Sequence, residues 1–401
     1  MKAITILLTT VSFLICWSCW ITSSHEQEEP RRLQQQSRQQ QSLNVLALGG
    51  SVTWGSELKE RRDLAYPSLL LKENSIQRSD NLAIRASSAV WPSQCLQSMI
   101  RDLADEVEYH VILLEFSLNG LMGVQLLLHR LRRRYPHALF IYIDLYSNRK
   151  PGYSNCVGSK CRMTQTRIEG LRALLGKVTN AHLLQLPRPK DPLNWENEVK
   201  QWFAHDGHHL NSVGHEWIAQ HVVEIIGNHN FVSGPQGDWL EGDLCLSWFK
   251  NGQIPPPVQL QGGTLHEFTK FKFAYEIPSY ATLDINTSSL KGTSPLLLVY
   301  MTKGDMYPRV SLNFNNEHFW ELDSKSDPKF VENHVTAVRS LGFVVPSPDL
   351  HIEIKTINYS SKKKWPFRLV GIVMCAACRT FDPHFAEKDC HQRACFDFVE
   401  E

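Results

Sequence analysis

The chain has 401 residues, 42% of them apolar and 21% charged, with a formal net charge of +1. That is a globular composition with enough length for two domains, and its charge balance excludes a charge-driven nucleic-acid partner. Lys2 precedes an uncharged run from Ala3 to Ile21, and Thr22 and Ser24 offer small residues for cleavage. The pattern predicts a secretory leader over residues 1–24. The run is also close to the length needed to cross a bilayer, so an uncleaved signal anchor fits as well. Residues 25–43, with EQEEP followed by RRLQQQSRQQQ, bury too little apolar surface to order themselves and are expected to form a disordered stem.

At Asn44 the composition changes. Val45 to Leu48 form an unbroken apolar run, the pattern of a strand buried on both faces of a parallel sheet. Gly49 and Gly50 then permit a tight turn, which places Ser51 between a strand end and a helix start. A phosphate loop is excluded, because no Lys-Ser or Lys-Thr pair follows the glycines and GxGxxG is absent. Further apolar runs at Leu82–Ile84, Val111–Phe116, Leu139–Leu145 and His182–Leu186 alternate with segments of helical spacing, such as Cys95, Met99 and Leu103. This alternation predicts a parallel sheet with helices on both faces, whose ligands sit beyond the carboxyl ends of the strands. Ser51 and Asn119 each follow a strand-like run and so fall on that edge. Arg130, Arg132, Arg133 and Arg134 close a helix that starts near Met122 and stops at Tyr135-Pro136, and they are expected to form a solvated helix terminus. Asn148 to Lys160 is expected as a loop on the active edge, with Cys156 and Cys161 as a candidate disulfide.

The stretch DGHHLNSVGH, Asp206 to His215, precedes a helical apolar stripe from Trp217 to Ile225. Three positions separate Asp206 from His209, so one turn brings the carboxylate to Nδ1 while Nε2 faces a serine. The competing readings are a metal site among His205, Asp206, His208 and His209, and a helix-capping Asp206.

Three stretches in this order, the Gly-Gly-Ser51 turn, LLEFSLNG (Leu113–Gly120) and the Asp206-x-x-His209 loop, resemble the SGNH (GDSL-type) hydrolase family over about residues 44–226. The resemblance implies a flavodoxin-like three-layer α/β domain over 44–228. It also implies Ser51 as nucleophile, Asp206 and His209 as its partners, and an oxyanion hole from Ser51, Ala86 and Asn119, with no metal and no cofactor. The sequence departs from the family pattern in reading GGS where GDS is usual, in the Ser117-Leu118-Asn119-Gly120 turn, and in Ala86 where a glycine is usual. The implied chemistry is acyl transfer through an acyl-serine intermediate. The expected substrates are small acyl esters, including O-acetyl groups on a glycan; a lumenal polysaccharide O-acyltransferase and a non-catalytic glycan-binding protein are the alternatives.

After a linker at 229–245, short runs rich in β-branched and aromatic residues predict a β-sandwich over 246–378: Phe271–Tyr275, Leu296–Met301, Val310–Phe314, His351–Ile357 and Phe367–Val373. Tyr280, Tyr307, Trp320 and Trp365 would fill its core, or stack on a glycan. A Cys-rich tail, 379–401, completes the chain. Cys375, Cys378, Cys390 and Cys395 with His384 and His391 fit disulfides in an oxidising compartment, and fit zinc loosely. The eight cysteines outside the leader support an oxidising compartment and the sequons at Asn286 and Asn358 are compatible with it, so the expected location is the secretory pathway, as a secreted or a single-pass signal-anchored protein.

Overall fold

The computed structural model describes residues 42–85, 87–101, 107–119, 121, 123–146, 168–187, 201–232, 234–238, 243–247, 258–269, 272–288, 294–302, 307–315, 318–323, 335–344, 349–358 and 365–375. The leader and nearly all of the stem, Ala86, the Cys156 and Cys161 loop, and the tail after Cys375 lie outside the described residues.

Five parallel strands form the first layer: β1 (Leu43–Gly49), β2 (Ile76–Asn81), β3 (Val111–Glu115), β4 (Leu139–Asp144) and β5 (Ala181–Gln185). Their order is β2-β1-β3-β4-β5. The chain winds outward from β1 to β2, returns to β3 and then winds the other way, so the strand order reverses between β1 and β3. Both faces are covered, which is why these strands read as apolar runs rather than alternating patterns. Leu46, Leu48, Ile112, Leu114, Phe140 and Tyr142 pack toward α4 (Val90–Arg101), α5 (Val124–Arg134) and α6 (168–175). Their sequence neighbours Val45, Ala47, Val111, Leu113, Leu139 and Ile141 pack toward α1 (Ser51–Trp54), α3 (Tyr66–Leu69) and α7 (Ser212–Gly227), with α2 (Arg61–Leu64) beside α3.

Two expectations need correction. The second strand is Ile76–Asn81, one segment before the expected Leu82–Ile84. At the sheet edge its side chains are mostly half-exposed, so a polar sequence is tolerated and the apolar signal shifts to the residues after it. Leu82 and Ile84 still follow β1, donating backbone hydrogen bonds to Ala47 and Gly49. Arg130 is buried instead of solvated: it donates to the Gln94 carbonyl and ties α5 to α4, while Arg134 donates to the Gly237 carbonyl.

Eleven described strands make the second part: β6 (Asp243–Ser247), β7 (Val258–Gln261), β8 (Thr264–Thr269), β9 (Lys272–Ile277), β10 (Tyr280–Asn286), β11 (Ser294–Thr302), β12 (Arg309–Phe314), β13 (His318–Asp323), β14 (Val335–Val344), β15 (Asp349–Asn358) and β16 (Phe367–Cys375). They form two antiparallel sheets, β13-β12-β15-β10-β7 and β14-β11-β16-β9-β8, with β6 pairing β16. The inner faces bury Leu283, Leu298, Leu312, Ile352 and Ile372 among others, a sandwich core. Of the four aromatics weighed above, Tyr307 is buried and Trp365 stacks on the Arg368 guanidinium, whereas Tyr280 and Trp320 are exposed. The two parts are joined by a disulfide between Cys95 of α4 and Cys245 of β6. Around it the first apolar cluster continues into the sandwich through Ala274, Val299, Met301 and Val370.

Candidate active site

The site lies at the reversal point between β1 and β3. Gly49 and Gly50 are required there by close approach, not by backbone handedness. A Cβ on Gly49 would lie 2.1 Å from Thr53 Oγ1 and 2.8 Å from the Glu115 carbonyl, and one on Gly50 would lie 1.9 Å from Asn119 Nδ2. The tight passage lets α1 begin at once and holds Ser51 over the end of the sheet. Gly55, at φ 82°, ends that helix after one turn.

The opposite wall is the loop before α7. Gly207, at φ 62°, turns the chain so that Ala204 N–H reaches the His209 carbonyl. Asp206 does not cap the helix, a role taken by Asn211, whose side chain accepts from Gly214 N–H. Instead Asp206 Oδ1 accepts the backbone N–H groups of His208 and His209, each at 2.9 Å, and Oδ2 lies 2.6 Å from His209 Nδ1. Burial pushes this carboxyl up, but the two N–H donors and the His209 ring outweigh it and bring it down to about 2. An ionised carboxylate only accepts, so the imidazole proton sits on Nδ1 and the Nε2 lone pair is free. Ser51 Oγ lies 2.9 Å from that Nε2. Residues 158 positions apart are thus in hydrogen-bond contact.

Asn119 arrives from the turn after β3, where its N–H closes onto the Phe116 carbonyl and Ser117 Oγ donates to Asp144 at 2.7 Å. Its Nδ2 is buried, has no hydrogen-bond partner among the described residues, and faces the Gly50 α-carbon beside Ser51. Ala86, the remaining expected oxyanion donor, is outside the described residues. Two groups line the outer rim: Glu57, at φ 70°, and His205, whose Nδ1 lies 3.7 Å from Glu57 Oε2. Ligand atoms of Glu57, Asp206 and His209 lie within 4.8 Å of one another, the group with metal-ligating chemistry among the described residues.

Sequence reasoning passed over a polar layer behind the turn. Tyr66 and Thr53 share a hydrogen bond of 2.8 Å, Thr53 Oγ1 donates to Glu115 Oε2 at 3.2 Å, and Asn81 Nδ2 donates to the Thr53 carbonyl. His215, buried and held neutral with its ring lowered to about 3 by burial and by His209, accepts the Tyr66 N–H. A glutamate ending the otherwise apolar run VILLE was the available signal.

No protein-family model and no curated protein sequence matches the chain. Among solved structures it is similar to a two-domain esterase active on acetylated mannans, at 13% identity and a TM-score of 0.56, covering 86% of this chain and 94% of that one. The same figures hold for that esterase co-crystallised with mannopentaose. The likeness spans both parts of the chain and establishes a shared two-domain fold: a parallel α/β layer followed by a β-sandwich.

Proposed function

We propose that this chain is a serine ester hydrolase of the SGNH type whose substrates are acetyl esters on a glycan. The observation that carries the reading is one line of contacts, Asp206 to His209 to Ser51, ending beside a buried amide donor, Asn119 Nδ2, that has no partner among the described residues. Such an unpaired donor is costly unless a ligand atom uses it. The similar structure's action on acetylated mannan supports the choice of acyl group and alcohol.

In this mechanism His209 Nε2 takes the Ser51 proton as Oγ attacks the ester carbonyl, and the sugar hydroxyl leaves with the proton from His209. Asp206 holds the ring tautomer and stabilises the imidazolium. Asn119 Nδ2 and the Ser51 backbone N–H carry the oxyanion, while Ala86, the third donor that the family resemblance implies, lies outside the described residues. Water, activated by the same imidazole, then releases acetate. The bond between Cys95 and Cys245 supports an oxidising, secretory location. No helix among the described residues is long and apolar enough to cross a membrane.

A fluorophosphonate probe should label the wild-type protein and fail to label Ser51→Ala. Acetate release from acetylated mannan should be lost in the same variant. Unlabelled wild-type protein that also releases no acetate would remove the enzyme reading.

A further inference from the structure

Glu115 is the last residue of β3 and is 1% exposed. It has no part in the acyl-transfer steps above, yet it lies directly beneath the nucleophile turn. Its carbonyl accepts the Gly50 N–H at 3.0 Å, and its Oε2 accepts from Thr53 Oγ1 at 3.2 Å. The nearby backbone N–H groups of Thr53 and Gly50 favour the charged carboxyl, and burial outweighs them. Its contacts therefore bracket Ser51 on both sides in sequence. Oε2 also lies 3.8 Å from where a Gly50 Cβ would be, the same α-carbon that Asn119 Nδ2 faces. Tyr66 continues the chain through Thr53, and His215 stacks against Tyr66 with ring centroids 5.9 Å apart.

We propose that Glu115, in its protonated form, is a positioning residue that sets the Ser51 turn and the Asn119 donor relative to one another. The proposal rests on the esterase reading for its catalytic consequence. A neutral carboxyl accepts these donors without loading a charge into a closed space. The charged and titratable groups facing it agree. Asp144, at the end of β4, adds a like charge, Tyr66 from α3 is held neutral by burial, and His215 from α7 is neutral. Burial is the leading cause that lifts Glu115 to about 8. Above that pH a buried negative charge would develop under the turn, and the oxyanion site would lose its geometry before its composition.

The test compares wild type, Glu115→Gln and Glu115→Ala from pH 5 to pH 10, reading kcat and KM on an aryl acetate and the rate of fluorophosphonate labelling. Wild type should lose kcat above pH 8 with little change in KM. Gln, which keeps an acceptor oxygen and stays uncharged, should hold neutral-pH kcat within threefold and flatten that decline; Ala should lose at least tenfold at every pH. A Gln variant that falls as steeply as wild type above pH 8, or that loses most of its activity at pH 6 to 7, overturns the proposal. Thermal unfolding of wild type and Gln over the same range keeps the outcome separate from the esterase reading. An unreactive wild type whose midpoint falls from pH 5 to 8, while that of Gln does not, would sink the enzyme reading but leave the protonated Glu115 standing. Parallel midpoints would sink the latter.

Discussion

A single methyl group tests the oxyanion site. In Gly50→Ala the added Cβ would stand 1.9 Å from Asn119 Nδ2 and 3.2 Å from its Cγ. The amide must retreat by roughly 1.5 Å to reach van der Waals contact. Gly50 has φ −91°, so alanine meets no left-handed penalty there and the cost falls on Asn119. Nδ2 makes no hydrogen bond among the described residues, so the fold loses little when it moves and the transition state loses a donor. One lost oxyanion donor is worth about 10²–10³ in kcat, about 2.7–4 kcal/mol. Asn119→Ala should show the same loss, and the double variant should be no worse than either single, because both remove one interaction. The assay is kcat and KM on an aryl acetate, with circular dichroism and the thermal midpoint as controls for folding. Wild-type kcat in Gly50→Ala, or single losses that multiply in the double variant, would refute the assignment of Asn119.

Asp206→Asn should lower kcat by about 10⁴, since the imidazole would lose the partner that fixes its tautomer, and should cost about 1–2 kcal/mol of stability at neutral pH; a pH-resolved kcat measurement checks the first. Because Asp206 sits at about 2 instead of the ordinary 3.8, its stabilisation is present above the unfolded value and is lost as pH falls through the folded one. Allowing for screening in a loop, wild type should lose about 1–2 kcal/mol between pH 4 and pH 2 that Asn does not, measured by denaturant unfolding. For Glu115 the sign reverses: a raised folded value makes stability fall as pH rises from about 4.5 to about 8, so Glu115→Gln should gain about 4 kcal/mol on wild type between pH 5 and pH 8. The Cys95–Cys245 bridge closes a sequence separation of 150, and Cys95→Ser should cost up to about 5 kcal/mol on the chain-entropy account. An unchanged unfolding midpoint under non-reducing conditions would show that the two parts are held by packing alone.

Much of the α/β layer was legible because a strand buried on both faces must be an apolar run, and β1, β3 and β4 are. The edge strand β2 was not, since half of its surface meets water and its sequence IQRSDN carries no apolar signal. Asp206 and His209 were legible because three positions suffice for one turn to join them. Gly50 was not. Nothing local says that a glycine is needed because an amide 69 positions later would otherwise strike its side chain. The same limit hid the pairing of Cys95 with Cys245, which depends on how a helix of one layer meets a strand of the next, and the burial of Arg130, which depends on the Gln94 carbonyl it reaches.

Glu115 and Asp206 show why residue type alone does not assign a role. Both are carboxyls near the same serine, at opposite ends of the range: about 8 for Glu115 and about 2 for Asp206. Burial acts on both in the same direction, and the difference comes from its depth: donors outweigh it at the partly open Asp206 and not at the fully enclosed Glu115. Asp206 has two backbone N–H groups and an imidazole, the latter ready to become a cation as the serine attacks. Glu115 has a hydroxyl and backbone N–H groups opposed by the charge of Asp144 and by deeper burial. A group that must stabilise a charge appearing during the reaction needs to be charged beforehand. A group that must hold a turn still through the reaction does better without charge. Exchanging the two environments would leave the imidazole without a counter-charge and place an ion beneath the nucleophile, and it is this separation of carboxyl states that makes the rim of the sheet fit for acyl transfer.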